Sequence, residues 1–364
     1  MQTSKEQVAM NLRSLYETYG YSQYRMSKFE EYDLYARNKD FLVSDNVLTF
    51  TDISGKLMAL KPDVTLSIVK NTRDLDVVQK LYYNENVYRV VKGSDGFKEI
   101  MQLGLECLGP IDGYCISEVL MLAAESLRRI SEDAVLDVSD LGILSAVMDA
   151  IGIPADLRSN AMHYIGEKNL HDLTALCAGC GIAQEKIAVL RQLVSMKAPL
   201  TEELDKNLTN LLAGLVAQES LRGFLDVLAV LKDTDVAPLL RVDFSVVDDI
   251  HYYNGFVFKG FVNGLPGSVL SGGQYDKLMN KMKRSDRAIG FAVYTDMLDR
   301  LEQPMDAYDV DTLLLYDDTT SMSAVRRQVK LLTDSGRSVM AQRAIPANIR
   351  YKEILTMGEV EKNA

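Results

Sequence analysis

The chain has 364 residues, enough for two or three domains with a sizeable core, and a formal net charge of −11. It contains no apolar run of about 18 residues or more, and its N-terminus lacks the basic and apolar segments of a secretory signal. Four cysteines do not make a disulfide framework in a chain of this length. We therefore expect a cytoplasmic globular protein without a membrane span, and the acidic balance argues modestly against a nucleic-acid surface.

The N-terminal part of the chain begins with a helical pattern and continues with short β-type runs. Apolar residues at helical spacing predict a helix in the segment EQVAMNLRSLYETYG, and Gly20 is expected to end it as a C-cap. Between residues 40 and 60, β-type runs alternate with turn signals such as Ser54-Gly55, which predicts hairpins.

Longer elements follow from residue 80. Two long strands are predicted for residues 80–91 and 97–108, with the loop KGSDG between them. The further predictions, in chain order, are a helix (117–130), a strand (134–138), three strands (239–247, 253–261 and 267–271), a helix (275–282), a strand (288–293), a helix (297–301), a strand (312–316), a helix (321–335) and a strand (338–342).

Residues 151–236 have an almost wholly helical pattern, with Leu, Ala and charged residues at spacings of three and four, which predicts a helical insertion. The predicted domains are the first part of a core (1–150), the insertion (151–238), the second part of the core (239–304) and a small α/β C-terminal domain (305–364). Consecutive strands joined by short turns favour an antiparallel sheet, so the predicted fold class is α+β.

Cys177 and Cys180 form a CxxC pair, which raises the possibility of a metal or redox site. A structural zinc requires two more ligands, and no second CxxC or spaced histidine pair follows. A thioredoxin-like pair lies at a strand-to-helix turn, whereas helical patterns flank this one. We therefore expect buried or idle thiols.

The segment VVDDIHYYNGFVF, which contains Tyr252 and Tyr253, resembles a signature of histidyl-tRNA synthetases, Arg-Gly-Leu-Asp-Tyr-Tyr-Thr-Gly. Gly255 matches the final glycine, whereas Asp248 stands at the position of the arginine. An aspartate cannot replace a cationic fork that clamps an α-phosphate and a carboxylate. The resemblance thus implies a histidine pocket that has lost the means of activating the amino acid.

Three further segments carry the resemblance, in the family's order. Residues 61–65, KPDVT, are similar to Arg-Pro-Glu-x-Thr, and the acid and the hydroxyl there would hold the α-ammonium of histidine. Residues 88–106 resemble the motif 2 hairpin of class II synthetases, with Gln102 facing the amino acid and Glu106 accepting a bond from the imidazole. Residues 271–276, SGGQYD, resemble the Gly-Gly-Arg-Tyr-Asp turn. The predicted histidine-binding residues are Asp63, Thr65, Arg89, Gln102, Glu106, Tyr252, Tyr253 and Tyr275.

The resemblance covers about residues 5–300 and implies a class II synthetase-like core, an antiparallel sheet flanked by helices. Each segment taken alone also fits a structural role. Gln102 and Glu106 lie on one face of a strand, and a solvent-exposed strand face would have the same pattern of polar residues. Residues 63–65 also fit a turn and a helix N-cap. Residues 21–35 resemble motif 1 of the class II dimer, with Met26 at the position of the motif proline, and imply self-association.

Departures from the family pattern argue against catalysis. Met297 stands where an arginine of motif 3 contacts the γ-phosphate of ATP, and Lys98 replaces an arginine of motif 2. Removal of one such charge-stabilising group costs about 10²–10³ in rate. Lys61 and Asp63 also differ from the family's arginine and glutamate. The C-terminal unit is shorter than the family's anticodon-binding domain, so no tRNA binding is expected.

Three hypotheses remain open. A histidine pocket without the catalytic arginines resembles the regulatory subunits of ATP phosphoribosyltransferase. This resemblance implies a non-catalytic chain that activates a separate catalytic subunit and contributes to histidine feedback inhibition. It would have no catalytic residue, metal or cofactor of its own. The alternatives are an active histidyl-tRNA synthetase or related ligase, and a structural scaffold whose pocket is a relic.

Overall fold

The computed structural model describes residues 4–42, 46–90, 96–247, 252–296, 298 and 308–360. The chain divides into two compact units, one formed by residues 5–299 and the other built on residues 300–364. The described helices of the larger unit are α1 (Ser4–Thr18), α2 (Tyr32–Arg37), α3 (Thr65–Asn71), α4 (Gly113–Ile130), α5 (Leu141–Ile151), α6 (Arg158–Gly166), α7 (Leu170–Gly179), α8 (Gln184–Ser195), α9 (Glu202–Leu211), α10 (Gln218–Lys232) and α11 (Asp276–Lys281).

Two sheets are present in the described part of this unit. Their strands are β1 (Ser22–Gln23), β2 (Phe29–Glu31), β3 (Thr49–Thr51), β4 (Leu57–Leu60), β5 (Gln79–Val90), β6 (Phe97–Gly109), β7 (Ala134–Asp140), β8 (Lys197–Pro199), β9 (Leu240–Asp243), β10 (Phe256–Val262), β11 (Ser268–Gln274) and β12 (Arg287–Tyr294). The described strands of the large sheet have the order β1-β5-β6-β12-β11-β10-β7-β9-β8, and those of the small sheet β2-β4-β3.

The centre of the large sheet, from β5 to β7, is antiparallel throughout, as the resemblance implied. The edges differ from that expectation, because β1 pairs with β5 and β9 pairs with β7 in parallel. Side chains alternate between the two faces of each strand. Phe258 and Phe291 lie on the face covered by helices, where Phe291 also meets Tyr16 of α1. Their strand neighbours Lys259 and Ala292 point to the opposite face, which carries the cavity described below.

The predicted long elements are confirmed with small shifts of their ends. The N-terminal helix is followed by Gly20 at φ +81°, and β3 and β4 form the expected hairpin. The region 151–238 is not wholly helical, because Lys197–Pro199 forms β8 and pairs with β9 at the sheet edge. The sequence of this short strand, Lys-Ala-Pro, had no recognisable β pattern because it contains a proline and a charged residue. The helix predicted for residues 297–301 lies outside the described residues, apart from Leu298.

The C-terminal unit has its own small sheet. Its described elements are β13 (Val310–Leu315), α12 (Met322–Asp334), β14 (Val339–Gln342), β15 (Tyr351–Thr356) and α13 (Met357–Val360). The strands pair in parallel in the order β14-β13-β15, which confirms the predicted start of strand, helix and strand. The sequence pattern missed β15. Nowhere in the described residues is a helix both long and apolar enough to span a membrane.

Phe224 of α10 connects the insertion to the core segment that carries the tyrosine pair. Its ring stacks on Phe256, the first residue of β10, with centroids 5.2 Å apart, and lies 5.9 Å from Phe244, just after β9. Phe224 is only 2% exposed. The two contacted phenylalanines flank Tyr252 and Tyr253 along the chain, so α10 supports both ends of that segment.

We predict that Phe224→Ala lowers the free energy of unfolding by about 3–5 kcal/mol, because the cavity left behind loses both ring contacts. The measurement is urea-induced unfolding followed by circular dichroism. Val230→Ala on the same helix is the control, since Val230 is 46% exposed and should cost about 0.5 kcal/mol or less. Equal effects of the two variants would contradict the assigned packing.

Candidate functional site

A cavity of about 560 Å³ opens on the face of the large sheet opposite Phe258, where α3 also packs. All eight residues predicted from the sequence to bind histidine line this one cavity. They come from the start of α3, from β5 and β6, from the segment before β10 and from the turn after β11: Asp63, Thr65, Arg89, Gln102, Glu106, Tyr252, Tyr253 and Tyr275. The structure thus brings together segments up to about 200 residues apart in sequence.

The floor of the cavity consists of small residues on adjacent strands. Strand register places Gly104 of β6 beside Ala292 of β12, which lies beside Ser271 of β11. In the next row, Glu106 lies beside Gly290 of β12, which lies beside Gly273 of β11. A side chain at Gly290 would collide with the carboxyl group of Glu106, and one at Gly273 would come within 2.7 Å of the Tyr253 ring. The glycines therefore make the space in which the functional side chains lie.

Glu106 is a buried carboxyl group of the cavity wall, at 2% exposure. Its Oε1 accepts a hydrogen bond from the hydroxyl of Thr65 at 2.8 Å, and its Oε2 accepts one from the hydroxyl of Tyr275 at 2.6 Å. Burial raises the pKa of Glu106 from 4.5 to about 8, while the two hydroxyl donors oppose this shift. A carboxyl group in either protonation state keeps lone pairs beyond these two bonds, so Glu106 retains acceptor capacity for a ligand N–H.

Asp63 and Arg89 form a second polar group in the wall. Asp63 Oδ1 accepts from the backbone N–H of Leu66 at 2.9 Å, so the carboxylate stabilises the first turn of α3. Its Oδ2 lies 3.6 Å from Arg89 Nη2. Burial raises the pKa of Asp63, and the charge of Arg89 opposes that shift. Asp63 therefore combines the two roles considered for it, since Oδ1 caps the helix and Oδ2 faces Arg89 in the cavity wall.

Arg89 is itself held by several partners. Its Nε donates to the carbonyl of Pro62 at 2.5 Å and its Nη2 donates to Gln102 Oε1 at 3.3 Å. Arg89 thus connects β5, β6 and the segment before α3. Lys61, the neighbour that replaces a family arginine, is buried in an ion pair with Glu85 and does not line the cavity.

Aromatic rings close one side of the cavity. Tyr252 packs edge-on against Tyr253 with centroids 4.6 Å apart, and it also contacts Tyr275 at 5.9 Å and Phe41 at 5.8 Å. Burial raises the pKa of Tyr252 and Tyr275 well above the usual value. Both hydroxyls therefore remain protonated at neutral pH, and that of Tyr275 donates to Glu106.

Sequence reasoning missed several lining residues, among them Tyr83, Lys259, Ser271 and Tyr294. Strand alternation was the available signal, since these side chains share a face with Gln102 and Glu106 once the register is known. Asp248 and Met297, on which the argument against catalysis rests, lie outside the described residues. Cys177 is buried at the end of α7, and no cluster of three or more metal-ligating side chains occurs within the described ranges.

Comparison with known proteins gives a consistent set of relatives. The family model described as histidyl-tRNA synthetase matches residues 2–298. An ATP phosphoribosyltransferase regulatory subunit from Oceanobacillus iheyensis is 24% identical over 83% of this chain and 75% of its own length. A structure from Bacillus halodurans, described as an ATP phosphoribosyltransferase regulatory subunit/histidyl-tRNA synthetase, has a TM-score of 0.77 at 21% identity and covers 97% of this chain and 93% of that chain. A chain of the ATP phosphoribosyl transferase complex from Thermotoga maritima has a TM-score of 0.61 at 17% identity, and the match covers 79% of this chain and 96% of that chain.

The raised pKa of Glu106 predicts a pH-dependent stability. Between its unfolded value of 4.5 and its folded value of about 8, the folded state holds a proton that the unfolded state has released. The stabilisation is complete below pH 4.5 and is lost as the pH rises through about 8. We expect the free energy of unfolding to fall across this window by up to about 1.4 kcal/mol per pH unit from this group.

The measurement is urea-induced unfolding at several pH values. Glu106→Gln, which carries no titrating proton, should lose this part of the slope. Glu99→Gln, an exposed position on the same strand whose pKa is lowered by bonds from Tyr88 and Asn86, should keep the wild-type slope. An unchanged slope in Glu106→Gln would refute the assignment.

Proposed function

Since the chain belongs to the histidyl-tRNA synthetase family, we propose that it retains an amino-acid pocket for histidine and serves as the non-catalytic regulatory subunit of an ATP phosphoribosyltransferase. In this role it activates a separate catalytic subunit at the first step of histidine biosynthesis and contributes to feedback inhibition by histidine. The observation that carries the proposal is the convergence of all eight predicted residues on one cavity around Glu106. Relatives named as regulatory subunits support the assignment.

The chemistry of the wall suits histidine in three places. An imidazole has two distinct nitrogens, so a selective pocket requires polar partners on both sides of the ring. Glu106 provides an acceptor, and the hydroxyls of Tyr252 and Tyr253 lie on the aromatic side of the same cavity. Asp63 supplies an anion for the α-ammonium. Selectivity follows because a ligand without the imidazole N–H would leave the buried carboxyl of Glu106 without that bond.

Residues that an amino-acid-activating enzyme requires are absent from the sequence. Asp248 and Met297 occupy the positions of two arginines that contact ATP in the family. An aspartate at the first position repels a triphosphate instead of neutralising it. The loss of synthetase activity is therefore part of the proposal. Self-association, predicted from the resemblance of residues 21–35 to motif 1, stays a prediction.

We expect the purified chain to show no histidine-dependent exchange of pyrophosphate into ATP. The reason is that two charge-stabilising groups are missing, each worth about 10²–10³ in rate. An active histidyl-tRNA synthetase, assayed in parallel, serves as the positive control. Exchange at even about a thousandth of the control rate would favour the alternative of an active ligase.

Regulation is tested by reconstitution with the catalytic phosphoribosyltransferase chain of the same organism. The catalytic chain alone should be weakly active, and addition of this chain should raise the rate and make it sensitive to histidine. Glu106→Ala and Tyr253→Ala should each weaken inhibition by about 1–3 kcal/mol, because the imidazole loses a partner. Glu185→Ala, an exposed position on α8, is the control and should behave like the wild type.

Two outcomes would contradict parts of this account. If both pocket variants assemble and activate normally and keep the wild-type inhibition constant, the effector site is not this cavity. If the wild-type chain fails to change the rate of its partner at all, the regulatory role is wrong and the scaffold alternative gains support.

A further inference from the structure

Lys259 is a lining residue of the cavity that no motif identified. It lies in the middle of β10, where register pairs it with Ser271 of β11 on one side and with Asp137 of β7 on the other. Alternation along β10 buries its neighbour Phe258 on the helix-covered face and places Lys259 on the cavity face. Its ammonium group therefore belongs to the same surface as the functional side chains.

Two of the cavity-lining residues that the structure describes are cationic, Arg89 and Lys259. They lie on different walls of the cavity. Arg89 donates to Pro62 and Gln102 and lies beside Asp63. Its charge is thus largely matched by groups of the protein. Lys259 stands on the far side of the floor, between Ser271 of β11 and Asp137 of β7 in the strand register.

The floor between Glu106 and Lys259 leaves room for a small amino acid. The two residues lie on β6 and β10, which β12 and β11 separate. Three strand spacings correspond to about 14 Å, and both side chains reach into that distance. The cavity-lining residues on these two intervening strands include the small residues Gly290 and Ala292 of β12 and Ser271 of β11, so a ligand can lie across the strands between the two polar ends.

Hydroxyl groups accompany Lys259 at its end of the cavity. Ser271 lies directly beside it on β11, and the Ser271 hydroxyl forms a 2.9 Å hydrogen bond with the hydroxyl of Tyr294. A carboxylate placed here would have a cation and hydroxyl donors within one neighbourhood. Lysine has three N–H donors, so a contact within the protein leaves donors for a ligand.

We propose that Lys259 binds the α-carboxylate of the amino acid whose imidazole is held at Glu106, with Ser271 and Tyr294 as supporting donors. This inference rests on the proposed histidine pocket. It adds that Lys259 makes the pocket specific for a ligand that bears a carboxylate. Each polar group of the ligand then has its own partner. Asp63 faces the ammonium, Lys259 faces the carboxylate and Glu106 faces the ring, so the zwitterion is recognised at three separated points.

The test compares ligands that differ only at the carboxylate. The full-length chain is titrated calorimetrically at pH 7 with L-histidine and with L-histidinol, which carries a hydroxymethyl group in place of the carboxylate. The wild type should bind histidine more tightly. Lys259→Met should weaken histidine binding about 10- to 150-fold, the value of a hydrogen bond to a charged group, and should leave histidinol binding unchanged.

Two further variants make the result interpretable. Lys259→Arg keeps the charge and should retain part of the preference for histidine. Lys281→Met is the matched control, since Lys281 pairs with Asp40 and lies 5.0 Å above the ring of Phe41, a wall residue, without lining the cavity itself. It should bind both ligands as the wild type does. Thermal unfolding of each variant checks that it is folded.

The outcomes separate this inference from the proposal on which it rests. If the wild type binds histidine but Lys259→Met binds it equally well, the role of Lys259 is wrong and the pocket stands. If Lys259→Met loses histidine and histidinol to the same extent, Lys259 is structural and the inference is overturned. If the wild type binds neither ligand, the histidine pocket itself is refuted.

Discussion

The burial of the Glu106 carboxyl group in the middle of a β-strand is the constraint on which the site depends. A carboxyl group at this position costs free energy unless hydrogen bonds compensate it. The compensation comes from Thr65 at the start of α3 and from Tyr275 after β11, and the space comes from Gly290 on the neighbouring strand. Three segments distant in sequence must therefore meet at one point before this residue can be buried. The sheet order and the cavity are two consequences of the same arrangement.

This arrangement explains how binding and activation can be separated. The groups proposed to bind the amino acid belong to the sheet face and to α3, and they support one another. Asp63 caps α3 with one oxygen and faces Arg89 with the other. Activation by ATP requires additional arginines at positions where the sequence has Asp248 and Met297. Replacement of those residues leaves the hydrogen bonds around Glu106 and Asp63 in place, so a chain can lose the reaction and keep the pocket.

The sequence allowed the local elements and eight residues that line one cavity to be predicted, but not their mutual contacts. The alternating pattern of residues 80–108 specified the β5–β6 hairpin, and with it the shared face of Gln102 and Glu106. The hydrogen bond from Thr65 to Glu106 depends on how α3 docks, which no local pattern encodes. Lys259 was missed for a similar reason, because its membership of the cavity follows from the register of β10 against β11. The strand β8 owes its conformation to pairing at a sheet edge and not to its own propensity.

The proposed hydrogen bond between Glu106 and an imidazole ring is the centre of this account, and nuclear magnetic resonance can test it directly. The imidazole nitrogens of isotope-labelled L-histidine report which nitrogen carries a proton and whether that proton is hydrogen-bonded. The account predicts that the two nitrogens of histidine bound to the isolated chain are distinct and shifted from those of free histidine. The shift should be lost with Glu106→Ala. Nitrogen signals at a saturating protein concentration that match those of free histidine would contradict the account.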